Sequence, residues 1–264
     1  MPKKQRLDLV LVERGLAESR SQAQRLIMAG QVRVNGQVAL KPSQGVPPGA
    51  QVEVVAPPPF VSRGGEKLAA ALAAFAIPVA GRVCADVGAS TGGFTDCLLQ
   101  QGAAKVYAVD VGKGQLHWKL RTDPRVVVLE GTNARHVERL PEPVTLVTMD
   151  VSFISVRALL PVVRRWFGPT GGEAVVLIKP QFEAGREEAA RGQGVIRDPA
   201  VHRRVLQEVL SFAQAHGYGV RGLIPSPIRG PKGNVEFLAW LAVAAPPAPE
   251  DRLAAWIEAC LAQV

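Results

Sequence analysis

The sequence predicts an α/β fold: a doubly wound, mostly parallel sheet of seven strands, preceded by a small N-terminal α+β domain. Three observations carry that prediction. From residue 81 onward, short β-branched runs alternate with segments of helical periodicity, the pattern of βαβ units. The last two strand candidates have no helix between them, so they should pair antiparallel at one edge. Three consecutive prolines, Pro57-Pro58-Pro59, set the first part of the chain aside, because such a run fits neither a helix interior nor a central strand.

The division implied is a first domain at 1–56, a Pro-rich linker at 57–62 and a main domain at 63–264. Within the first domain, Leu7, Leu9, Val10, Leu11 and Val12 open a short helix that ends near Gly15. Ser19 is placed to cap a second helix, with Ala23, Leu26 and Ile27 facing inward and Gly30 as its stop. Val32 and Val34 alternate with polar neighbours, Asn35-Gly36 signals a hairpin, and a further strand follows at 51–55. In the main domain the strands fall at 82–87, 105–109, 125–129, 144–149, 173–178, 219–224 and 235–243. Helices are expected at 93–101, 155–167 and 200–216, with an amphipathic helix at 251–264.

The chain has 264 residues, 47% apolar and 20% charged, which excludes a disordered protein. Lys and Arg number 31 against 23 Asp and Glu, a net charge of +8. A protein this basic suits a polyanionic partner, nucleic acid or an anionic membrane surface. Residues 1–56 carry eight of the basic and four of the acidic side chains, so the charge is densest there. Three unpaired cysteines, Cys84, Cys97 and Cys260, suit neither a disulfide framework nor a zinc cluster, and a reducing cytoplasm is the simplest setting. Met1-Pro2-Lys3-Lys4 opens like a signal peptide, but Arg6, Asp8, Glu13 and Arg14 interrupt the apolar stretch that should follow. The run 68–80 is broken by Pro78 and is too short to span a bilayer.

The first strand ends in Ala85-Asp86-Val87-Gly88-Ala89-Ser90-Thr91-Gly92-Gly93-Phe94. Glycines in the first βα turn let backbone approach a cofactor, but the spacing is not the dinucleotide G-x-G-x-x-G. Asp86 puts a carboxylate where a pyrophosphate would be repelled and an ammonium group welcomed, which favours S-adenosylmethionine. Asp110, ending the second strand, can accept both ribose hydroxyls of either a methyl donor or NAD. Asn133, after the third strand, is placed for an adenine. Ordinary turn chemistry also populates βα loops with Gly and Asp. Three such features after three successive strands point instead to a cofactor.

Four ionisable residues converge on the same edge. Lys67 follows Ser62-Arg63-Gly64-Gly65-Glu66; Asp150 lies in Thr148-Met149-Asp150-Val151-Ser152-Phe153; Lys179 opens Lys179-Pro180-Gln181-Phe182; Glu236 sits in the last strand. A lysine at the end of an apolar strand is costly to bury unless paired, and two plain salt bridges would also account for the set. These motifs resemble the Lys-Asp-Lys-Glu tetrad of the FtsJ-like ribose 2'-O-methyltransferases. Arg6-Leu7-Asp8, Ser19-Arg20-Ser21-Gln22-Ala23 and Val32-Arg33-Val34-Asn35-Gly36 resemble the RNA-binding domain named after ribosomal protein S4. Together the two parts are similar to the TlyA (hemolysin A) family, which methylates cytidine riboses in ribosomal RNA. The stiff run of prolines is a departure from that pattern, bearing on interdomain motion and not on the chemistry.

The resemblance implies a Rossmann-like methyltransferase sheet, S-adenosylmethionine as methyl donor, no metal, and ribosomal RNA or ribosomal subunits as partner. It makes Lys67, Asp150, Lys179 and Glu236 the catalytic set, with Lys179 the base, Asp150 and Glu236 its orienting carboxylates and Lys67 positioning the ribose. Asp86, Gly88, Ala89, Ser90, Thr91, Gly92, Gly93, Phe94, Asp110, Asn133 and Asp150 would line the donor site. Arg6, Arg20, Arg25, Arg33 and Lys41 would meet RNA phosphates. Against this stand a non-catalytic RNA-binding or ribosome assembly factor, a membrane-active hemolysin and, more distantly, a dehydrogenase. Stable membrane association is not expected, since no long amphipathic anchor is apparent. The Gly-rich stretches Arg191-Gly192-Gln193-Gly194 and Arg229-Gly230-Pro231-Lys232-Gly233 are either walls of the site or ordinary loops. His117, His136, His202 and His216 lack metal-ligand spacing, and Trp118 and Trp166 read as core or rim.

Overall fold

A computed structural model describes residues 4–55 and 58–264. Met1, Pro2 and Lys3 of the signal-like opening lie outside the described residues, as do Ala56 and Pro57 where the expected linker begins. The chain separates into two compact units, Met1–Pro58 and Pro59–Val264.

In the smaller unit, β1 (Gln5–Arg6) leads directly into α1 (Leu7–Glu13), followed by α2 (Arg20–Met28). Ser19 caps α2, its hydroxyl oxygen accepting from the Gln22 N–H at 3.2 Å. Then come β2 (Val32–Val34), β3 (Gln37–Val38), β4 (Gly45–Val46) and β5 (Val52–Val54). Asn35 and Gly36 both take positive φ, 50° and 79°, the two-residue turn that sets Val34 opposite Gln37. β2 also pairs antiparallel with β5, while β1 pairs with β4. Leu7, Leu11, Ala23, Ile27 and Val32 form a core with no solvent exposure. The β1–β4 pair is absent from the sequence reading, because two-residue strands carry no alternation.

The larger unit begins with α3 (Gly64–Ala74), a helix the sequence reading lacks. β6 (Val83–Val87), α4 (Gly93–Gln100), β7 (Lys105–Val109), α5 (Trp118–Arg121), β8 (Val126–Leu129) and β9 (Leu146–Met149) follow. Where one helix is expected at 155–167, three short turns stand: a 3-10 turn at Val156–Ala158, α6 (Leu160–Val163) and another 3-10 turn at Arg164–Trp166. Pro161 is the physical reason for the first break: it lacks a backbone donor and so stands in the first turn of α6, where none is needed. β10 (Glu173–Ile178), α7 (Pro180–Glu183), α8 (Arg186–Arg191), α9 (Pro199–Ala215), β11 (Tyr218–Pro225), β12 (Phe237–Val243) and α10 (Glu250–Leu261) complete it.

The seven strands lie in the order β11-β12-β10-β9-β6-β7-β8. All neighbours run parallel except at β12, which is antiparallel to both β10 and β11. Apolar layers cover both faces, and the pleat sorts the strand residues between them. Cys84, Val106 and Leu146 join the layer under α3 and α4, while Ala85, Tyr107 and Val147 join the layer under α9 and α10. All three cysteines are free and buried, and burial pushes each thiol up to about 12. No helix among the described residues is long and apolar enough to cross a membrane.

Candidate active site

After β6 the chain builds outward through β7 and β8, then returns to place β9 on the other side of β6. The loops leaving β6 and β9 therefore diverge, opening the crevice where open α/β sheets bind ligands. Because β12 runs against its neighbours, its start lies at this same edge, and Glu236 stands one residue before it. α3 brings Lys67 to the edge from beside α4, while Asp150 and Lys179 directly follow β9 and β10. The four residues expected as a set line one cavity of about 390 Å³.

They meet as two ion pairs. The Lys67 Nζ lies 2.5 Å from Glu236 Oε2, and the Lys179 Nζ lies 2.6 Å from Asp150 Oδ1 and donates to Ser152 Oγ at 3.0 Å. Both lysines are 8% exposed and Glu236 only 1%. Glu236 Oε1 is buried and, among the described residues, has no hydrogen-bond partner. Ser152 is a contact the sequence reading missed, although it stands inside the motif quoted for Asp150.

A second cavity of about 460 Å³ shares Gly88, Ser90, Asp150 and Ser152 with the first, so the two form one cleft. Asp110 and Asn133 line this second half. Asp110 ties the first two βα loops together, Oδ2 accepting from the Ser90 N–H at 2.8 Å and Oδ1 from the Gly112 N–H at 2.7 Å. Asn133 accepts from the Arg135 N–H at 3.1 Å and caps the 3-10 turn Ala134–His136. Glu130 shapes the neighbouring loop by accepting from the Gly114, Gln115 and Leu116 N–H groups. Its carboxyl is held down at about 2, first by Arg121 and then by the Gly114 and Leu116 amides. Gly88 has φ +82°, and a Cβ there would lie 2.4 Å from the Asp150 carbonyl oxygen.

Two residues expected at the donor site do not line the cleft. Asp86 is wholly buried and does not reach the cleft: it accepts from Thr95 Oγ1 at 2.7 Å and Thr148 Oγ1 at 3.1 Å. The pleat turns it to the same face as Cys84, beneath α4, and burial raises its carboxyl to about 7. Gly92 likewise does not line the cleft. Its bare side faces α5, where a Cβ would lie 2.2 Å from Leu120 Cδ1. Ala89, Ser90, Thr91, Gly93 and Phe94 do line it, Phe94 mostly buried in the apolar layer.

The cleft mouth carries an aromatic side chain that the sequence reading assigned no role. Phe153 is 92% exposed with φ +64°, its ring 5.1 Å from that of Phe182. Arg229 and Gly230 line the tetrad cavity, whereas Arg191, Gly192, Gln193 and Gly194 do not. Asn234 joins the two stretches, accepting from the Ile196 N–H and donating to the Gly194 carbonyl. Trp118 is 71% exposed, whereas Trp166 is buried. Among the described residues no three His, Cys, Asp or Glu side chains cluster as a metal site.

In the smaller unit, Arg6 and Arg20 both hold the buried Asp8, with Arg6 bidentate at 3.0 Å on each oxygen. Arg6 is the chief cause holding the Asp8 carboxyl well below the usual carboxylate range. The two guanidinium groups stay partly open to solvent. Arg25, Arg33 and Lys41 are exposed and form no ion pair among the described residues.

The fold and site define a methyltransferase domain joined to a small S4 unit: residues 60–243 match the FtsJ-like methyltransferase family and residues 5–52 the S4 domain. A 16S/23S rRNA (cytidine-2'-O)-methyltransferase, TlyA of Mycobacterium tuberculosis, is 49% identical, covering 91% of each chain. Hemolysin A of Brachyspira hyodysenteriae is 43% identical over 89% of this chain and 98% of that one. A solved structure of a candidate hemolysin from Streptococcus thermophilus superposes with a TM-score of 0.75 at 43% identity, covering 100% of this chain and 96% of that one. The chain belongs to the TlyA family of FtsJ-like methyltransferases.

Proposed function

We propose that this protein transfers a methyl group from S-adenosylmethionine to the ribose 2'-hydroxyl of a cytidine in ribosomal RNA, presented as RNA or within ribosomal subunits. The observation that carries the reading is the two lysine–carboxylate pairs on one wall of a cleft whose other half presents Asp110 and Asn133. The activity for which the Mycobacterium tuberculosis relative is named supports the substrate.

The residues fit the methyl donor. Joined cavities of about 390 and 460 Å³ match small-molecule sites, which run to about 300–1,000 Å³. Asp110 would accept the donor's ribose hydroxyls, Asn133 would face its adenine, and loop 88–94 would lie along its amino-acid end. When bound, S-adenosylmethionine supplies a methyl already activated on a sulfonium centre. What remains for the protein is alignment of the hydroxyl and removal of its proton. Lys179, in its neutral form, takes that proton at Nζ, with Asp150 and Ser152 fixing the nitrogen. Lys67 and Glu236 position the target ribose, Glu236 Oε1 accepting from a substrate hydroxyl. Phe153 offers a π-face on which an unstacked base can rest. Arg6, Arg20, Arg25, Arg33 and Lys41 hold RNA phosphates.

The test is transfer of labelled methyl from S-adenosylmethionine to separated unmodified ribosomal subunits and to naked rRNA. Label should enter RNA with the natural chain. The Lys179→Ala variant should lose transfer by about 10²-fold or more while binding S-adenosylmethionine normally. A variant keeping most of its turnover would remove Lys179 from the base role.

A further inference from the structure

Resting on the methyltransferase reading above, we infer that Glu183 is a positioning residue that holds the Asp150 loop and the Lys179 loop in the register their ion pair requires. Direct pairing of β9 with β10 does not do this, although the sheet holds each segment singly, the Asp150 N–H donating to the Val87 carbonyl and Ile178 pairing with Phe237 of β12. β9 and β10 pair in parallel only as far as Met149 opposite Val176, and both Asp150 and Lys179 lie beyond that last paired position. Past it the two segments follow different paths, one through Ser152 and Phe153, the other into α7. Asp150 and Ser152 reach Lys179, but these are the working groups themselves. The Phe153–Phe182 contact is set in solvent on the Phe153 side.

Glu183 supplies the buried tie. It closes α7, four residues after Lys179, and is 5% exposed. All its side-chain contacts cross to the segment that follows Asp150. Oε2 accepts from Ser155 Oγ at 2.6 Å, Oε1 accepts from the Val156 N–H at 2.8 Å, and Arg157 Nε stands 3.4 Å from Oε2. Arg157 returns the contact by donating through Nη2 to the Glu183 carbonyl at 3.2 Å. Ser155 gives its single hydroxyl proton to Glu183 and accepts from the Arg157 N–H and Nε, so the cluster has one consistent donor pattern. A buried carboxylate is an expensive way to join two loops, since apolar packing would join them more cheaply. What it adds is direction: each bond fixes one atom of one loop against the other. Displacing a reacting group by ~1 Å can cost ~10²-fold in rate.

The experiment measures kcat and KM for methyl transfer to rRNA, per site able to bind S-adenosylmethionine. It compares the natural chain with Glu183→Ala, Glu183→Gln and Ser155→Ala. Glu183→Ala should lose kcat by ~10-fold or more with its RNA KM within about twofold. Glu183→Gln, which keeps an acceptor for the Val156 N–H and a polar group for Ser155, should recover to within about threefold of the natural kcat. Ser155→Ala removes one tie without leaving a buried site empty, and should lower kcat severalfold; it carries the test if Glu183→Ala does not fold. Natural kcat in Glu183→Ala or in Ser155→Ala would overturn the assignment. So would equal loss in Glu183→Ala and Glu183→Gln together with falling melting temperature and S-adenosylmethionine binding, which marks a merely structural buried acid. No transfer by the natural chain would strike at the methyltransferase reading instead.

Discussion

Asp86 shows how a single side chain can occupy a suggestive sequence position and do something else. It stands two residues before the glycine loop, but a strand's pleat decides which way it points, and here it points under α4 onto Thr95 and Thr148. Its carboxyl is raised from 3.8 to about 7, mainly by burial. A raised acid favours the fold in its protonated form. Its contribution is therefore complete below the unfolded value near 4 and is lost as pH climbs through 7. Asp86→Asn stays neutral throughout, so its melting temperature should gain on that of the natural chain between pH 5 and pH 8. Melts of both proteins at the two pH values check this, and a constant difference would refute it. The ionisable groups of the cleft differ in legibility for a physical reason. Asp150 and Lys179 each follow a β-branched run, where a charge stands out. Lys67 lies 169 residues from its partner Glu236, a distance no spacing rule bridges, and only motif resemblance brings the pair together.

At the scale of elements, the strands are the most legible part, because each is an apolar run with turn residues at its ends. The helices are less so. α3 opens on Gly64-Gly65 and continues largely as alanine and leucine, so its start looks like a loop and its periodicity is faint. The break at Pro161 is written in the sequence, yet the surrounding apolar spacing hides it. The β6–β9 junction, by contrast, is demanding at one atom. Gly88 combines φ +82° with a Cβ direction blocked by the Asp150 carbonyl oxygen at 2.4 Å. That neighbour is backbone at the end of the adjacent strand and cannot swing aside. Gly88→Ala should cost about 2–4 kcal/mol, from left-handed backbone and overpacking together. It should also reduce methyl transfer, since relief means shifting Asp150 from its place beside Lys179. Chemical denaturation with parallel rate measurements checks both effects. A stable variant with natural turnover would show that the strand ends part freely.

For the whole molecule, the two units differ in charge density as well as in fold. The smaller unit concentrates basic residues on a frame of two helices and short strands, and spends Asp8 on orienting Arg6 and Arg20. Arg25, Arg33 and Lys41 are exposed without an ion-pair partner among the described residues, so they are available to phosphate. Binding to a polyanion through such groups releases counterions, and the logarithm of affinity then falls linearly with the logarithm of salt concentration by ~0.7–0.9 per phosphate contact. Replacing Arg25, Arg33 and Lys41 together by alanine should weaken rRNA binding at low salt and flatten that slope by about two to three. S-adenosylmethionine binding should be unchanged, because its proposed contacts all lie in the larger unit. Lys179→Ala gives the complementary result: the natural salt slope with turnover lost. Titrations of rRNA across a salt series, run on both variants, separate the two roles. A triple variant with an undiminished slope would mean that phosphate contacts come from the larger unit, where Arg63 and Arg229 line the cleft.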